Sequence, residues 1–283
     1  MANNFPLINE FELVEKMMAD HSSETFKYKL KSNNSFYAVK RYPQDAFLSS
    51  EREIDFQREK SALFDISKKN SPNIPKLFNT FEDSSYRYLL MEYYEGQNLE
   101  SYAQATSGKI DEKIIIHILK EMLKTLCFLH DDCHIMHRNI KPSNIVIDKN
   151  NNIKLVGFSL AAYLRNKNKL LVSKNSFKGQ IKYSAPEILF GTQIDAYDAK
   201  VDIFSLGYSI YYLMNKELPT ETKVLNSYVN RENKPLKSNN YSPWLVKFVE
   251  SLFANERSKR PSASEALKIL ENNIKNELNI LNI

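Results

Sequence analysis

The sequence predicts an α+β protein in two parts: a small antiparallel β lobe with one main helix, residues 1–94, and a larger, mainly helical lobe, residues 95–283. Three observations carry that reading. Two aromatic and β-branched runs of strand length, FYAVKRY and YRYLLMEYY, lie ahead of residue 95. Helical periodicity dominates after Gly96. A single short connection, Glu92 to Gly96, separates the two characters, so two lobes about a cleft at that hinge are expected.

The elements follow in order. ELVEK, from Glu12, reads as the opening strand of a hairpin. SSEREIDFQREKSALFDISKK, residues 49–69, has helical charge spacing with apolar positions at Ile54, Ala62, Leu63 and Ile66, and SPNIP stops it. EKIIIHILKEMLKTLCFLHD, residues 112–131, is a long apolar helix. NIVID and IKLVGF are short strands joined by the turn-forming KNNN. Helices are expected around 201–215, 242–253 and 263–276, the last capped by Ser262 or Ser264. The most apolar run, IFSLGYSIYYLM at 203–214, is too short to span a bilayer and reads as a buried helix.

Composition narrows the function classes. A content of 42% hydrophobic and 26% charged residues is that of a soluble globular protein. The net charge of +5 is too mild for a nucleic-acid binder, so no nucleic acid and no membrane partner is expected. MANNFPLINE has no charged-then-apolar signal pattern, which points to the cytoplasm, the nucleus not excluded. Cys127 and Cys133 read as a core thiol and a loop thiol, with neither a disulfide framework nor a zinc spacing.

Over residues 11–275 the chain resembles the eukaryotic protein kinase family, by many motifs in the right order. FYAVK resembles the strand whose lysine, Lys40, holds ATP phosphates. Glu59, nineteen residues on, matches the glutamate that pairs with it. LLMEYYEGQNL resembles the gatekeeper and hinge, with Met91 as gatekeeper and Glu92 and Tyr94 in the hinge. HRNIKPSN resembles the catalytic loop, with Lys141 and Asn144 retained, and SAPE the end of the activation segment. KVDIFSLG resembles the central helix, with Asp202 bracing the loop. Arg260 matches the arginine that pairs with Glu187. The resemblance also places Ala38 and Val146 against adenine, and Leu63, Leu77, His137 and Phe158 in a stacked hydrophobic spine.

The departures fall on the chemistry. Register from Glu12 puts Met18, Asp20 and Ser23 at the three glycine positions of the phosphate loop, and Thr25 at its valine. Glycine is needed there for close backbone approach to phosphate, and Asp20 adds a negative charge. Asn139 replaces the aspartate that takes or orients the substrate proton, and an amide cannot ionise. Gly157-Phe158-Ser159 replaces the metal-binding motif, so no metal is expected. Asp148, the sole acid between 139 and 159, reads as a turn residue. Gln180 stands where Ser/Thr kinases keep a threonine.

The resemblance therefore implies a catalytically inactive kinase-like protein, a scaffold or allosteric regulator that binds protein partners, an active kinase among the candidates. No cofactor is expected; ATP held without Mg²⁺ through Lys40, Glu59, Ala38, Met91, Glu92, Tyr94, Asn144 and Val146 is one alternative, and a kinase of low or atypical activity is another. The oligomeric state is left open. Lys40–Glu59 reads either as a plain ion pair or as a working phosphate contact. Arg138 either receives a phosphorylated Ser173 or Ser176 or bonds backbone. The basic run Arg165, Lys167, Lys169, Lys174, Lys178 either docks an acidic partner or is a solvated loop.

Overall fold

The computed structural model describes residues 8–44, 51–69, 71, 73–164, 181–190, 197–217 and 240–281. They fall into two compact units: residues 1–95 with 156–160, and residues 96–155 with 161–283. The sequence division at 94/95 differs from this in two places: Glu95 falls in the first unit, and so does Val156–Leu160. The reason for the second is a buried polar contact to that segment, described below.

The first unit is built on a five-stranded antiparallel sheet in the order β1-β2-β3-β5-β4. The strands are β1 (Phe11–Ala19), β2 (Glu24–Leu30), β3 (Phe36–Pro43), β4 (Leu77–Glu82) and β5 (Tyr86–Glu92), with helix α1 (Glu51–Ser67) between β3 and β4. Side chains alternate across a strand, so β3 divides its residues between two faces. Val39 joins Phe11, Leu30, Tyr88 and Leu90 in a buried cluster. Phe11 and Phe78 meet the Tyr37 ring edge-on at 5.5 and 5.6 Å. Ala38, Lys40 and Tyr42 point to the opposite face, where Tyr42 packs edge-on against Phe56 of α1 at 5.5 Å. α1 buries Asp55, Phe56, Glu59, Ala62, Leu63 and Ile66, a stripe at helical spacing that carries two acids within it. β4 has no clean alternation and was not expected from the sequence; it forms by pairing with β5 through a bulge between Leu77 and Asn79.

The second unit carries two small sheets. β6 (Gln97–Asn98), β8 (Ile145–Ile147) and β9 (Ile153–Leu155) form one in the order β6-β8-β9, and β7 (Ile135–Met136) pairs with β10 (Ala162–Tyr163) in the other. The described helices are α2 (Leu99–Ala105), α3 (Glu112–Cys127), α4 (Pro186–Leu189), α5 (Lys200–Asn215), α6 (Pro243–Leu252) and α7 (Ala263–Leu281). α2, also unexpected, is a seven-residue helix capped by Asn98, whose Oδ1 accepts from the Ser101 N–H at 2.8 Å. α3 continues into a π turn, Phe128–Asp132, closed by the Cys133 N–H bonding the Phe128 carbonyl at 3.0 Å. Ser262, not Ser264, caps α7: its hydroxyl accepts from Glu265 N–H while the Glu265 carboxylate accepts from the Ser262 N–H at 2.7 Å, a reciprocal capping box.

α5 is buried nearly all round, as the apolar run 203–214 implied. Gly207 permits its closest neighbour, since a Cβ there would lie 2.9 Å from Leu252 Cβ and 3.1 Å from Phe253 Cβ. Among the described residues no helix is long and apolar enough to cross a membrane. Arg260 is 1% exposed and gives a forked pair of hydrogen bonds to Glu187, 2.6 and 2.8 Å, while its Nε donates to the Ala254 carbonyl at 2.6 Å. Its guanidinium also lies 4.7 Å over the Phe204 ring. Removing one partner of such a pair strands a buried charge. Glu187→Ala is expected to lower the unfolding free energy by about 3–5 kcal/mol in a urea titration, against about 1 kcal/mol for Ser262→Ala.

Candidate functional site

In the first unit the site is built around one carboxylate. Period-two alternation puts Ala38, Lys40 and Tyr42 on the face of β3 that meets α1, and helical spacing turns Glu59 toward that face. Glu59 Oε2 accepts from Lys40 Nζ at 2.7 Å and from the Tyr42 hydroxyl. Its Oε1 accepts from the backbone N–H of Phe158 at 3.1 Å. All four residues are buried. The sequence-stated pair is thus a three-partner junction. Tyr42 and the Phe158 amide were missed, although Tyr42 carried a signal: it lies two residues beyond Lys40, on the same strand face.

The β1–β2 turn adds a second acid to this junction. β1 and β2 pair as a hairpin with shifts of register between Leu13 and Glu15 and between Lys16 and Met18, which brings Met18 opposite Thr25. The turn at its end places Asp20 Oδ2 3.7 Å from Lys40 Nζ. Burial alone would draw the Lys40 ammonium down, but the Glu59 and Asp20 carboxylates outweigh it and hold its pKa above the usual 10.5. Burial likewise opposes ionisation of Asp20, yet Lys40 and the Ser22 and Ser23 hydrogen bonds win, and its pKa lies below 3.8. Burial, then the Glu59 charge, pushes the Tyr42 phenol well above its ordinary range.

Ala38 pairs with Met91 across β3 and β5, and both are buried. The Glu92 carboxylate accepts from the Lys76 N–H at 3.2 Å and its own N–H bonds the Lys76 carbonyl at 2.9 Å, pinning the entry to β4. Tyr94 is half-buried. Gly157 has φ +82°, in the region that favours glycine.

In the second unit the loop from His137 to Asn144 is held by Asp202 at the start of α5. Asp202 is fully buried; its Oδ2 accepts from the His137 N–H at 2.8 Å and meets His130 Nε2 at 2.9 Å, and its Oδ1 accepts from the Arg138 N–H at 2.7 Å. The π turn in front of the loop carries His130 to this contact. Arg138, at φ +61°, gives an Nη1 hydrogen bond to the Tyr197 hydroxyl at 2.7 Å. Asn139 is half-buried; its N–H donates to His137 Nδ1 at 3.2 Å and its carbonyl accepts from Asn144 Nδ2 at 2.8 Å. Lys141 and Val146 are half-buried, Lys141 opening the short turn Pro142–Asn144 and Val146 pairing with Lys154 and Asn98. Asp148 is a turn residue: its carboxylate accepts from Asn150 N–H, Asn152 N–H and Asn152 Nδ2, each at 2.8 Å. The basic run Arg165, Lys167, Lys169, Lys174 and Lys178, together with Ser173, Ser176 and Gln180, lies outside the described residues.

The protein kinase domain pattern matches residues 11–270. The chain belongs to the protein kinase family. It is 31% identical over 250 residues to the serine/threonine-protein kinase cds1 of Schizosaccharomyces pombe, covering 84% of this chain and 53% of that one. It is 31% identical over 232 residues to human citron Rho-interacting kinase, covering 80% of this chain and 11% of that protein. With mitogen-activated protein kinase kinase 2 of Arabidopsis thaliana it shares 28% identity over 208 residues, 70% of this chain and 55% of the relative. The chain thus spans between a tenth and about half of the length of these relatives. The architecture is that of the kinase family: an antiparallel N-terminal sheet with one main helix and a mainly helical C-terminal unit.

The Asp202 contacts set an acid limit on this kinase fold. Burial disfavours the Asp202 carboxylate, but His130, His137 and the loop N–H groups outweigh it and hold its pKa below 3.8. A carboxyl depressed in the fold adds stability that is complete above its unfolded pKa and is lost as pH falls through the folded value. Stability is therefore expected to decline with acid below about pH 4. Asp202→Asn should flatten that limb and lower stability at neutral pH, as followed by urea unfolding across a pH series.

Proposed function

We propose that this chain is a pseudokinase: a protein kinase fold without phosphotransfer, acting through protein binding as a scaffold or an allosteric regulator. The observation that carries the reading is Gly157 in place of the metal-binding aspartate, on backbone at φ +82°. There is no side-chain oxygen at that position. The remaining ligand position, Asn144, offers a neutral amide whose nitrogen is bonded to the Asn139 carbonyl. Mg²⁺ takes hard oxygen ligands, with carboxylates preferred, so these residues do not fit it. Asn139 has no basic group with which to receive a hydroxyl proton, and loss of a general base alone costs about 10²–10⁴ in rate. Asp148 cannot substitute for either acid while it caps its own turn.

Against these losses stand the groups that hold shape: Glu59 with Lys40 and Phe158, Asp202 with the loop, Arg260 with Glu187. A fold that keeps its braces and loses its chemistry suits a binding role. The expected partner is another protein, an active kinase being one candidate class. The intact Lys40–Glu59 pair at 2.7 Å favours one second reading, nucleotide sensing without metal.

The test is transfer of labelled phosphate from ATP with Mg²⁺ or Mn²⁺ to a mixed peptide library. No transfer above background is expected. Transfer that disappears in Lys40→Ala would overturn the proposal. Restoring Asn139→Asp with Gly157→Asp is expected to recover little activity, because Met18, Asp20 and Ser23 still stand at the glycine positions of the phosphate loop.

A further inference from the structure

The β1–β2 turn is built to hold a carboxylate against Lys40. Asp20 Oδ1 accepts four hydrogen bonds: from Ser22 N–H at 2.9 Å, Ser22 Oγ at 3.2 Å, Ser23 N–H at 2.7 Å and Ser23 Oγ at 2.9 Å. The Asp20 N–H in turn bonds the Ser23 carbonyl at 2.9 Å. Ser22 and Ser23 are 2% and 3% exposed, so these donors are withdrawn from water. In the neighbouring residue, His21 Nε2 lies 3.5 Å from the buried Asp55 carboxylate of α1. With Oδ1 fixed in this way, Oδ2 is aimed at Lys40.

The charge balance makes the consequence specific. Lys40 is 5% exposed and already has Glu59 at 2.7 Å, so one buried cation faces two carboxylates. An anion approaching Lys40 would meet the Asp20 charge as well as that of Glu59, and like charges set together in a partly desolvated site repel. An acid serving only to balance Lys40 would not be needed, because Glu59 suffices for that.

We propose that Lys40 is a latent, metal-independent site for a phosphate-bearing ligand, and that Asp20 is a tethered anion that occupies it and keeps such ligands out. This deepens the second reading, nucleotide sensing without metal on a pseudokinase fold, and rests on its assignment of Lys40 as the lysine that contacts phosphate. In the resting protein the turn supplies the negative charge a ligand would otherwise bring. The Lys40–Glu59 junction is then complete without nucleotide.

The test measures binding of ATP and of inorganic tripolyphosphate, each in EDTA, to the full chain by calorimetry and by thermal shift. Asp20→Asn keeps the Oδ1 acceptor for the four turn hydrogen bonds, removes the charge and sets an amide donor in place of the oxygen that faces Lys40. It is expected to bind both probes at least about tenfold more tightly than the unaltered protein, and Lys40→Ala in that background should abolish the gain. Tighter binding of ATP than of tripolyphosphate identifies a nucleotide as the ligand class; equal binding identifies the phosphate chain alone. Unchanged affinity in Asp20→Asn, or a gain that survives Lys40→Ala, overturns the proposal. Asp20→Ser is measured alongside under the same criteria, so the outcome does not depend on one variant folding. Phosphotransfer by the unaltered protein would instead overturn the pseudokinase reading, whatever Asp20→Asn does to anion affinity.

Discussion

One buried carboxylate organises the N-terminal unit. Glu59 belongs to the apolar stripe of α1, where an ionised acid would be costly without partners. It has three, and they come from three places in the chain: an ammonium and a phenol on β3, and a backbone amide at Phe158. That last bond joins residues 99 positions apart and places Val156–Leu160 in the N-terminal unit. A hydrogen bond to a charged acceptor is stronger than a neutral one, and stronger still where water is excluded. Helix, sheet and the Gly157-Phe158-Ser159 segment are therefore held by a single group that none of them can release without stranding a charge.

Asp202 does in the second unit what Glu59 does in the first. It is buried and ionised, and it gathers two consecutive backbone N–H groups together with an imidazole. The arrangement keeps Arg138 in a left-handed conformation that a non-glycine residue seldom adopts. Glu59 and Asp202 are thus polar groups whose removal would cost the fold. Asn139 and Gly157 differ in kind. Neither is a partner of a buried charge through its side chain in the contacts described, so no buried ion pair fixes those side chains, while the backbone at φ +82° favours glycine at 157.

The sequence made the long helices readable because their apolar positions recur at helical spacing over many turns, as in α3 and α5. It also made Asp148 readable as a turn residue, since an aspartate ahead of KNNN has its own backbone to bond. β4 and α2 were not readable. LFNTFE has no clean alternation, and LESYAQA is too short for a period to declare itself. Within the site, Lys40, Glu59, Asp202, Glu187 and Arg260 were legible through the family resemblance, but their full partner sets were not. Contacts such as Phe158 to Glu59 depend on tertiary placement of segments distant in sequence. Asp20 is the clearest instance: register identified it as a misfit, whereas its approach to Lys40 depends on two shifts of pairing in β1 and on a turn folded back by Ser22 and Ser23.

The π turn at Phe128–Asp132 ties chain length to the geometry of the loop behind it. One residue more than an α-helical turn needs is accommodated between Phe128 and Cys133. An α-helix advances about 100° per residue, from its 3.6 residues per turn. Loss of Phe128 or Leu129 would let the helix run on in regular register and swing His130 by roughly that angle, away from Asp202. The insertion thus acts as a phase adjustment. It sets the rotational setting of His130 against α5, and with it the origin from which the loop carrying His137, Arg138 and Asn139 is measured.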